Sequence, residues 1–422
     1  MTPGSPDGAR AGTAGLTGLM LGLSPLLFGT ADAAEATRPL PVKARAAAPA
    51  DVPASCNKVY FDDEDATDPA AKLRGYRFDL AGACARVTAS IDNVFQNNLY
   101  VRVTDGQPTT PTSINTTTAS ASLDTSRATP YGTLRTGTMA QWQKATNDGT
   151  DTGKATVQKL YGSLGGLTAG YTNSLMDFWS GDFSFLATVP NISVGIIAYE
   201  HAITNNIKFA VAAESGLPSS SQASKGIQGL DTSSPDATAR LRYTNDANLT
   251  VHFSGLVRQA DFPAVGRAPA YSETGWALAA GVTTPFQMTG QRDSVSMQID
   301  YAVNAVQVLG TVADLKQSEQ YGAIGPTKGW DAVASINHPW TETIESNALI
   351  SYVAVDVDAQ MAKPTARSLR LATNVYWRPI EHLRLGAEIG WVHAQINADG
   401  LTGLPFSKVD GVAGYLSARL EY

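Results

Sequence analysis

Residues 414–422 read GYLSARLEY and decide the fold class. Four apolar side chains share one side of this segment: Leu416, Ala418, Leu420 and Tyr422. A period of two is typical of a β-strand with one apolar and one polar face. A terminal aromatic suits the closing strand of a membrane β-barrel, where its ring meets the membrane surface. A soluble edge strand can alternate in the same way, so the rest of the chain must separate the two structures.

The composition favours a membrane barrel over a set of soluble domains. Only 16% of the 422 residues are charged, against roughly 25% in soluble domains. The 38 glycines suit many short strands joined by turns. A net charge of −7 disfavours a nucleic-acid partner. After the N-terminal region no run of about 18 apolar residues occurs, which excludes helical membrane spans.

The N-terminal region predicts export. Arg10 precedes an apolar stretch at residues 11–28, and Ala31-Asp32-Ala33 offers a cleavage site. Residues 1–33 are therefore interpreted as a signal peptide. An Ala/Pro-rich linker follows at 34–55, an acidic periplasmic segment at 56–83 and the barrel at 84–422.

The two cysteines, Cys56 and Cys84, are a disulfide candidate in an exported protein. The bond would enclose the acidic residues between positions 62 and 68. Their spacing lacks the glycine of an EF-hand, so a solvated acidic loop is favoured over a calcium site.

Alternating strands recur along the chain from Cys84 onward. The clearest lie at residues 85–91, 249–257, 295–301 and 383–391. A soluble β-sandwich would carry a richly charged outer face, whereas the polar face here is poor in charge. The pattern predicts an all-β fold, a transmembrane antiparallel barrel.

Connection lengths supply a second test of the barrel. Short connections are expected at residues 165–166, 202–206, 245–248, 285–292, 338–341 and 379–382. Long connections are expected at residues 174–190, 215–238, 260–271, 303–329, 356–366 and 396–410. Short turns face the periplasm and long loops face outside in such barrels. Counting back from Tyr422 gives about 16 strands, with 18 as the alternative. The count takes 99–104 as a strand and leaves 105–130 as a long connection where a short turn is due.

Residues 157–178, VQKLYGSLGGLTAGYTNSLMDF, resemble the fourth and fifth strands of the alphaproteobacterial outer-membrane porins. Further similar stretches lie at 131–141, 275–285 and 374–390. The family often has Phe-Phe-Asp-Phe where this chain has Leu-Met-Asp-Phe at 175–178. The resemblance implies a homotrimer in the outer membrane, in contact with lipid and lipopolysaccharide. It also implies passive diffusion of small hydrophilic solutes and ions past an inward-folded third external loop, here residues 174–190.

That loop carries the candidate pore constriction. Asp177 and Asp182 supply negative charge, and three aromatic residues pack the loop against the wall: Trp179, Phe183 and Phe185. The opposing positive charge is expected from inward residues of the first strands: Arg86, Arg102 and Arg135. Selectivity would follow from the charges at the narrowest point. The alternative is that the two aspartates cap backbone amides of their own loop.

Outward aromatic residues are expected at the two membrane interfaces: Trp377, Trp391 and Tyr422. Packing in a soluble core is the alternative for the tryptophans.

The sequence contains no H-E-x-x-H, G-x-S-x-G, P-loop or Cys-x-x-Cys motif. No enzyme activity, metal or cofactor is therefore predicted, although outer-membrane proteases and lipases stay a formal alternative. His252 is expected to face the lumen, with a metal site there disfavoured. A substrate-selective channel with an aromatic track and a secreted β-rich binding or adhesion protein are the other functional alternatives.

Overall fold

A computed structural model describes the chain as an all-β protein. The structure describes residues 56, 75–104, 113–147, 150–179, 181–184, 193–215, 234–262, 271–287, 293–309, 326–358, 365–397 and 408–422. The expected signal peptide, the linker and the acidic residues at 62–68 lie outside these ranges. Within them, no helix is long and apolar enough to cross a membrane.

Seventeen strands form one antiparallel sheet. In chain order they are β1 Tyr76–Leu80, β2 Ala83–Thr104, β3 Ser113–Thr129, β4 Gly132–Asn147, β5 Thr150–Leu164, β6 Leu167–Asn173, β7 Ser193–Ala202, β8 Ile207–Glu214, β9 Asp236–Thr244, β10 Thr250–Phe262, β11 Tyr271–Phe286, β12 Asp293–Val303, β13 Thr327–Pro339, β14 Ile344–Val357, β15 Thr365–Ile380, β16 Leu383–Asn397 and β17 Lys408–Glu421.

The sheet closes into a barrel because β17 pairs with β2, while each strand from β2 to β16 pairs with the next along the chain. The barrel therefore has 16 strands, as the sequence predicts. Closure removes the unpaired strand edges that an open sheet would expose. A closed barrel of 16 strands is wide enough to enclose a lumen.

β1 is an extra strand below the barrel. It pairs with residues 83–87 at the start of β2, and β17 pairs with the rest of the same edge of β2, from Ser90 onward. Tyr422 exchanges two backbone hydrogen bonds with Ala89 just above it. Cys56 and Cys84 are joined in a disulfide, with their Cα atoms 4.7 Å apart. The bond therefore fixes the segment before β1 to the end of the barrel at which the chain terminates.

The two ends of the barrel differ in their connections. We call the end at Tyr422 the base and the opposite end the rim. All the connections predicted to be short lie at the base, and all those predicted to be long lie at the rim. One rim connection is short, because only residues 148–149 join β4 to β5. The alternation of loop lengths is confirmed.

The structure corrects one strand assignment. Residues 99–104 are the end of the long strand β2, and the missing strand is β3 within the region assigned to a long connection. β3 reads SINTTTASASLDTSRAT and carries few large apolar residues. Its alternation is therefore weak in sequence, and only pairing with β2 and β4 identifies it.

Side chains alternate between the two faces of the wall. Leu416 and Tyr422 of β17 are exposed on the outside, whereas Tyr415 is buried on the inside. The same holds on β11 and β12, where Leu278 and Ile299 are exposed on the outside and Gln298 is buried on the inside, beneath the loop described below. The outer face is thus apolar and the inner face polar, as a barrel spanning a membrane requires.

Candidate functional site

One connection folds into the lumen instead of staying at the rim. We call residues 174–184 the inner loop, of which all but residue 180 are described. It begins after β6, and the buried Glu214 of β8 holds its first residues. The Glu214 carboxylate accepts hydrogen bonds from the Ser174 hydroxyl at 2.7 Å and from the Leu175 amide at 2.8 Å. Thr238 of β9 donates a third bond to it at 2.9 Å.

The middle of the inner loop follows the wall across β10 to β13. The Phe178 ring stacks on His252 with ring centroids 4.8 Å apart. The Trp179 amide donates to the Gln298 side chain at 2.7 Å, and its indole N–H donates to Ser335 at 2.9 Å. Gly281 leaves room for Phe178, because a Cβ there would lie 2.2 Å from the ring.

The tip of the inner loop is fixed to β15 and β16. Asp182 forms a two-pronged ion pair with Arg384, whose guanidinium also lies 4.1 Å from the centroid of the Tyr376 ring. The Asp182 carbonyl accepts bonds from the Asn374 side chain at 2.7 Å and from the Tyr376 hydroxyl at 3.0 Å. The Ser184 amide donates to Glu388 at 2.8 Å. Such charge-assisted bonds are the strongest contacts of the loop.

The two aspartates of the inner loop have different charge states. Burial raises the pKa of Asp177 to about 7, although the Asn173 side chain donates a hydrogen bond to it at 2.7 Å. Burial also acts to raise the pKa of Asp182, but the charge and hydrogen bonds of Arg384 outweigh it and hold that pKa below its usual 3.8. Asp182 is therefore ionised at neutral pH, whereas Asp177 is ionised only in part.

The predicted basic residues do not face the loop tip. Arg86 points inward but is 2% exposed and paired with Asp124 at 3.1 Å, near the base. Arg135 also points inward. It lies close to the start of β4, directly opposite Ser126 of β3. Asp182 is paired with Arg384 instead of with either of them. The structure therefore brings neither Arg86 nor Arg135 to Asp182, and the transverse field expected between these arginines and the loop acids stays a prediction.

The sequence predicts that Arg102 faces the lumen, whereas the structure places it on the outer face. β2 has a bulge at Leu99, because Val412 pairs with Tyr100 and the next residue, Ala413, pairs with Asn98. One extra residue reverses which side chains face the lumen. Arg102 then pairs with Asp410 on the outer face, near the rim.

The predicted aromatic residues are placed as follows. Trp179 and Phe183 stack with centroids 6.5 Å apart and pack against buried side chains of the wall, whereas Phe185 lies outside the described residues. Trp377 and Tyr422 are exposed on the outer face near the base. Trp391 also points outward. It lies on β16 six residues beyond Leu385, the partner of Trp377, and is therefore closer to the rim.

Sequence reasoning missed the residues that hold the loop. Arg384 and Glu388 occupy polar positions of a strand whose alternation is clear in the sequence, so their inward direction could be read there. Their contact with Asp182 and Ser184 could not, because about 200 residues separate the partners, 202 for the Arg384 pair. Among the described residues, no three His, Cys, Asp or Glu side chains lie close enough together to hold a metal ion.

Comparisons with known proteins agree with this architecture. A family model described as "Porin subfamily" matches residues 67–414. No curated protein matches the chain. The outer membrane channel DcaP of Acinetobacter baumannii is similar in structure, with 14% identity and a TM-score of 0.62 over 83% of this chain and all of that one. OprB of Pseudomonas putida, in its high-pH structure, has 9% identity and a TM-score of 0.52 over 80% of this chain and 94% of that one. At these identities the two structures show a shared fold.

Proposed function

This chain belongs to the porin subfamily, and we propose that the inner loop is the size-limiting constriction of its channel. The protein forms an outer-membrane channel for the passive diffusion of small solutes. Family and fold point to a channel rather than an enzyme, and they remove the secreted binding protein as an alternative.

The anchoring of the inner loop at two distant parts of the wall carries this proposal. Glu214 holds its start at β8, and Arg384 holds its tip at β16. A loop fixed at both ends cannot withdraw toward the rim without breaking buried charge-assisted bonds. It therefore keeps a constant cross-section for solutes, and size and charge at this level select what passes.

Liposome swelling with sugars of increasing size tests the constriction. A variant in which two glycines replace residues 177–183 should admit sugars that the wild type excludes. Shortening residues 263–270, which join β10 and β11 at the rim, is the matched control and should leave the limit unchanged. An unchanged size limit in the inner-loop variant would refute the proposal.

We also propose that three copies assemble through the outer face of β3 and β4. Besides the exposed Leu123, Leu134 and Trp142, this face carries small and hydroxyl side chains at positions where other strands have residues such as Leu278 or Ile299. Its outward residues include Thr117, Ala119, Ala121, Thr138 and Ala140. Small side chains let two walls approach closely inside a membrane. Light scattering in detergent should show that Ala121→Trp is a monomer, because the large ring keeps the two walls apart. The control Ala348→Trp, on the outer face of β14, should stay trimeric. A trimeric Ala121→Trp would contradict this interface.

The outer aromatic residues support contacts with lipid and lipopolysaccharide. Trp276 packs on Tyr301 with centroids 5.5 Å apart, and Trp330 packs on Tyr352 at 5.0 Å, nearer to the rim. Trp377 and Tyr422 lie near the base, and Trp391 points outward between the two levels. Aromatic rings at two levels match the interfaces of a bilayer. Residues 1–33 are proposed to direct export to this membrane, and N-terminal sequencing of the mature protein would test their removal.

A further inference from the structure

Three positively charged side chains cluster on the wall beside the inner loop. We call Lys208 of β8 with Arg240 and Arg242 of β9 the basic cluster. Glu200 of β7 is the carboxylate among them, and it lies 2.7 Å from Arg240 and 3.1 Å from Lys208. One carboxylate neutralises one cation, so the cluster with Glu200 keeps a net charge of about +2.

The register of the sheet places the basic cluster inside the barrel. Arg242 stands directly opposite His252 on β10 and opposite Lys208 on β8. Residues directly opposite in an antiparallel pair share a face. His252 faces the lumen, because the Phe178 ring of the inner loop stacks on it. Arg242 and Lys208 therefore point into the lumen in the row where the inner loop meets the wall.

The cluster is also open to solvent. Arg242 is exposed, and the Lys208 side chain is 55% exposed. A solute that passes the middle of the inner loop meets these two side chains next. Guanidinium and ammonium groups in such a position donate hydrogen bonds to carboxylate or phosphate oxygens.

The carboxylates of this part of the lumen offer little opposing charge to a solute. Four of them are at most 1% exposed: Glu214, Asp236, Asp300 and Asp331. Asp182 is bound to Arg384, so its charge is compensated within the loop anchor, and Asp177 of the same loop is only partly ionised at neutral pH. The accessible charge beside the inner loop is therefore mainly positive, although the whole chain carries −7.

We infer that the basic cluster is a selectivity site that draws small anions bearing carboxylate or phosphate groups past the inner loop in preference to cations of the same size. The inference rests on the proposed constriction, because charge selects solutes only where they pass close to the wall. Confinement between wall and loop lowers the number of screening waters, which strengthens the attraction of the cluster for an anion.

Reversal potentials in planar bilayers under a KCl gradient test this selectivity. The wild type should favour chloride. The double variant Arg242→Gln/Lys208→Gln should lower the anion-to-cation permeability ratio at least about fivefold, because two unit charges about 8 Å from an ion in water change the local concentration of the anion alone by about that factor. Lys328→Gln removes the same charge from the outer face of β13 and is the matched control. The single variant Lys208→Gln should lower the ratio by a smaller factor than the double variant.

The outcomes separate the two proposals. A wild type that conducts but favours potassium, or a double variant with the wild-type ratio, overturns the selectivity site and leaves the constriction standing. A wild type without stepwise conductance overturns the channel itself. Heat-modifiable gel mobility establishes that each variant is a folded barrel before its potential is measured. A further arm raises KCl from about 0.1 M to 1 M, where the Debye length falls from about 10 Å to 3 Å and the anion preference should shrink.

Discussion

Asp177 and Asp182 belong to the same short loop, yet their carboxyl groups have opposite environments. Asp182 is held by Arg384 and its carbonyl by two further side chains, so it is ionised and immobile. Among the contacts described above, the Asp177 carboxyl has a hydrogen bond only from Asn173, four residues earlier in the chain, and burial raises the pKa of Asp177 to about 7. Asp182 therefore acts as an anchor, and Asp177 is a titrating group. Residue type alone does not assign either role. The role depends on whether a positively charged side chain of the wall pairs with the carboxylate, as Arg384 does with Asp182.

Removing the anchor charge should have the largest effect. Asp182→Asn leaves Arg384, whose side chain is 7% exposed, without its carboxylate. The Asp182 side chain is 43% exposed, so we expect a loss of about 1.5 kcal/mol of anchoring, or about a tenfold rise in the detached loop population. Single-channel recordings should show larger and noisier currents. Steady currents of wild-type size would show that the ion pair does not hold the loop.

The anchor should also be insensitive to pH near neutrality. The pKa of Asp182 is lowered, so its contribution is present above the usual pKa of 3.8 and is lost only as pH falls through the lower value in the folded protein. Wild-type current noise should accordingly stay constant between about pH 5 and 8.

Asp177→Asn should abolish a pH dependence of selectivity. With a pKa of about 7, the wild-type carboxyl is mostly neutral at pH 6 and mostly ionised at pH 8. Rising pH thus adds negative charge to the inner loop, and the anion preference should fall. In the variant the reversal potential should stay at its low-pH value throughout. Asp246→Asn, in a turn at the base, is the control that should keep the pH dependence; a pH-dependent Asp177→Asn channel would assign the titration to another group.

A substitution in the wall behind the middle of the inner loop should displace Phe178 and so affect the two ends of the loop differently. Gly281→Ala places a Cβ within 2.2 Å of Phe178 and must move that ring, at a cost of about 1–3 kcal/mol. Since Asp182 stays fixed and Asp177 adjoins Phe178, conductance should change modestly and the pH midpoint of selectivity should shift. Gly153→Ala, which meets nothing within 4 Å, should behave as the wild type. Identical recordings from both variants would place Phe178 away from the conducting path.

The smallest expected effect is at Asn173. Asn173→Ala removes the hydrogen bond that favours the ionised form of Asp177. The pKa of Asp177 should therefore rise above 7, by about half a unit for a bond of about 0.7 kcal/mol. The pH midpoint of the reversal potential reports this shift directly. A midpoint that moves to lower pH would reverse the assigned role of Asn173.

Much of the wall could be predicted from the sequence because its alternation is local. The outward direction of Leu416, Leu420 and Tyr422 in β17 is confirmed, and so are the short connections at the base. Both could be predicted because an alternation of apolar and polar side chains is visible within a few residues. β3 escaped this reasoning, because small and hydroxyl residues occupy its outer face and give little contrast with the inner face. Arg102 was assigned to the wrong face, because a single bulge at Leu99 is invisible in the residue pattern and reverses everything after it.

The sequence by itself determined that this chain is a closed β-barrel with short turns at one end and long loops at the other. It did so because alternation, composition and loop length are properties of neighbouring residues, and the terminal GYLSARLEY carries all the signs of a last strand. Only the tertiary structure decided which charges meet in the lumen. Arg384 reaches Asp182 across 202 positions, and Lys208 lies beside Arg242 through the pairing of β8 with β9. Barrel closure and strand register create these contacts, and no local pattern in the chain records them.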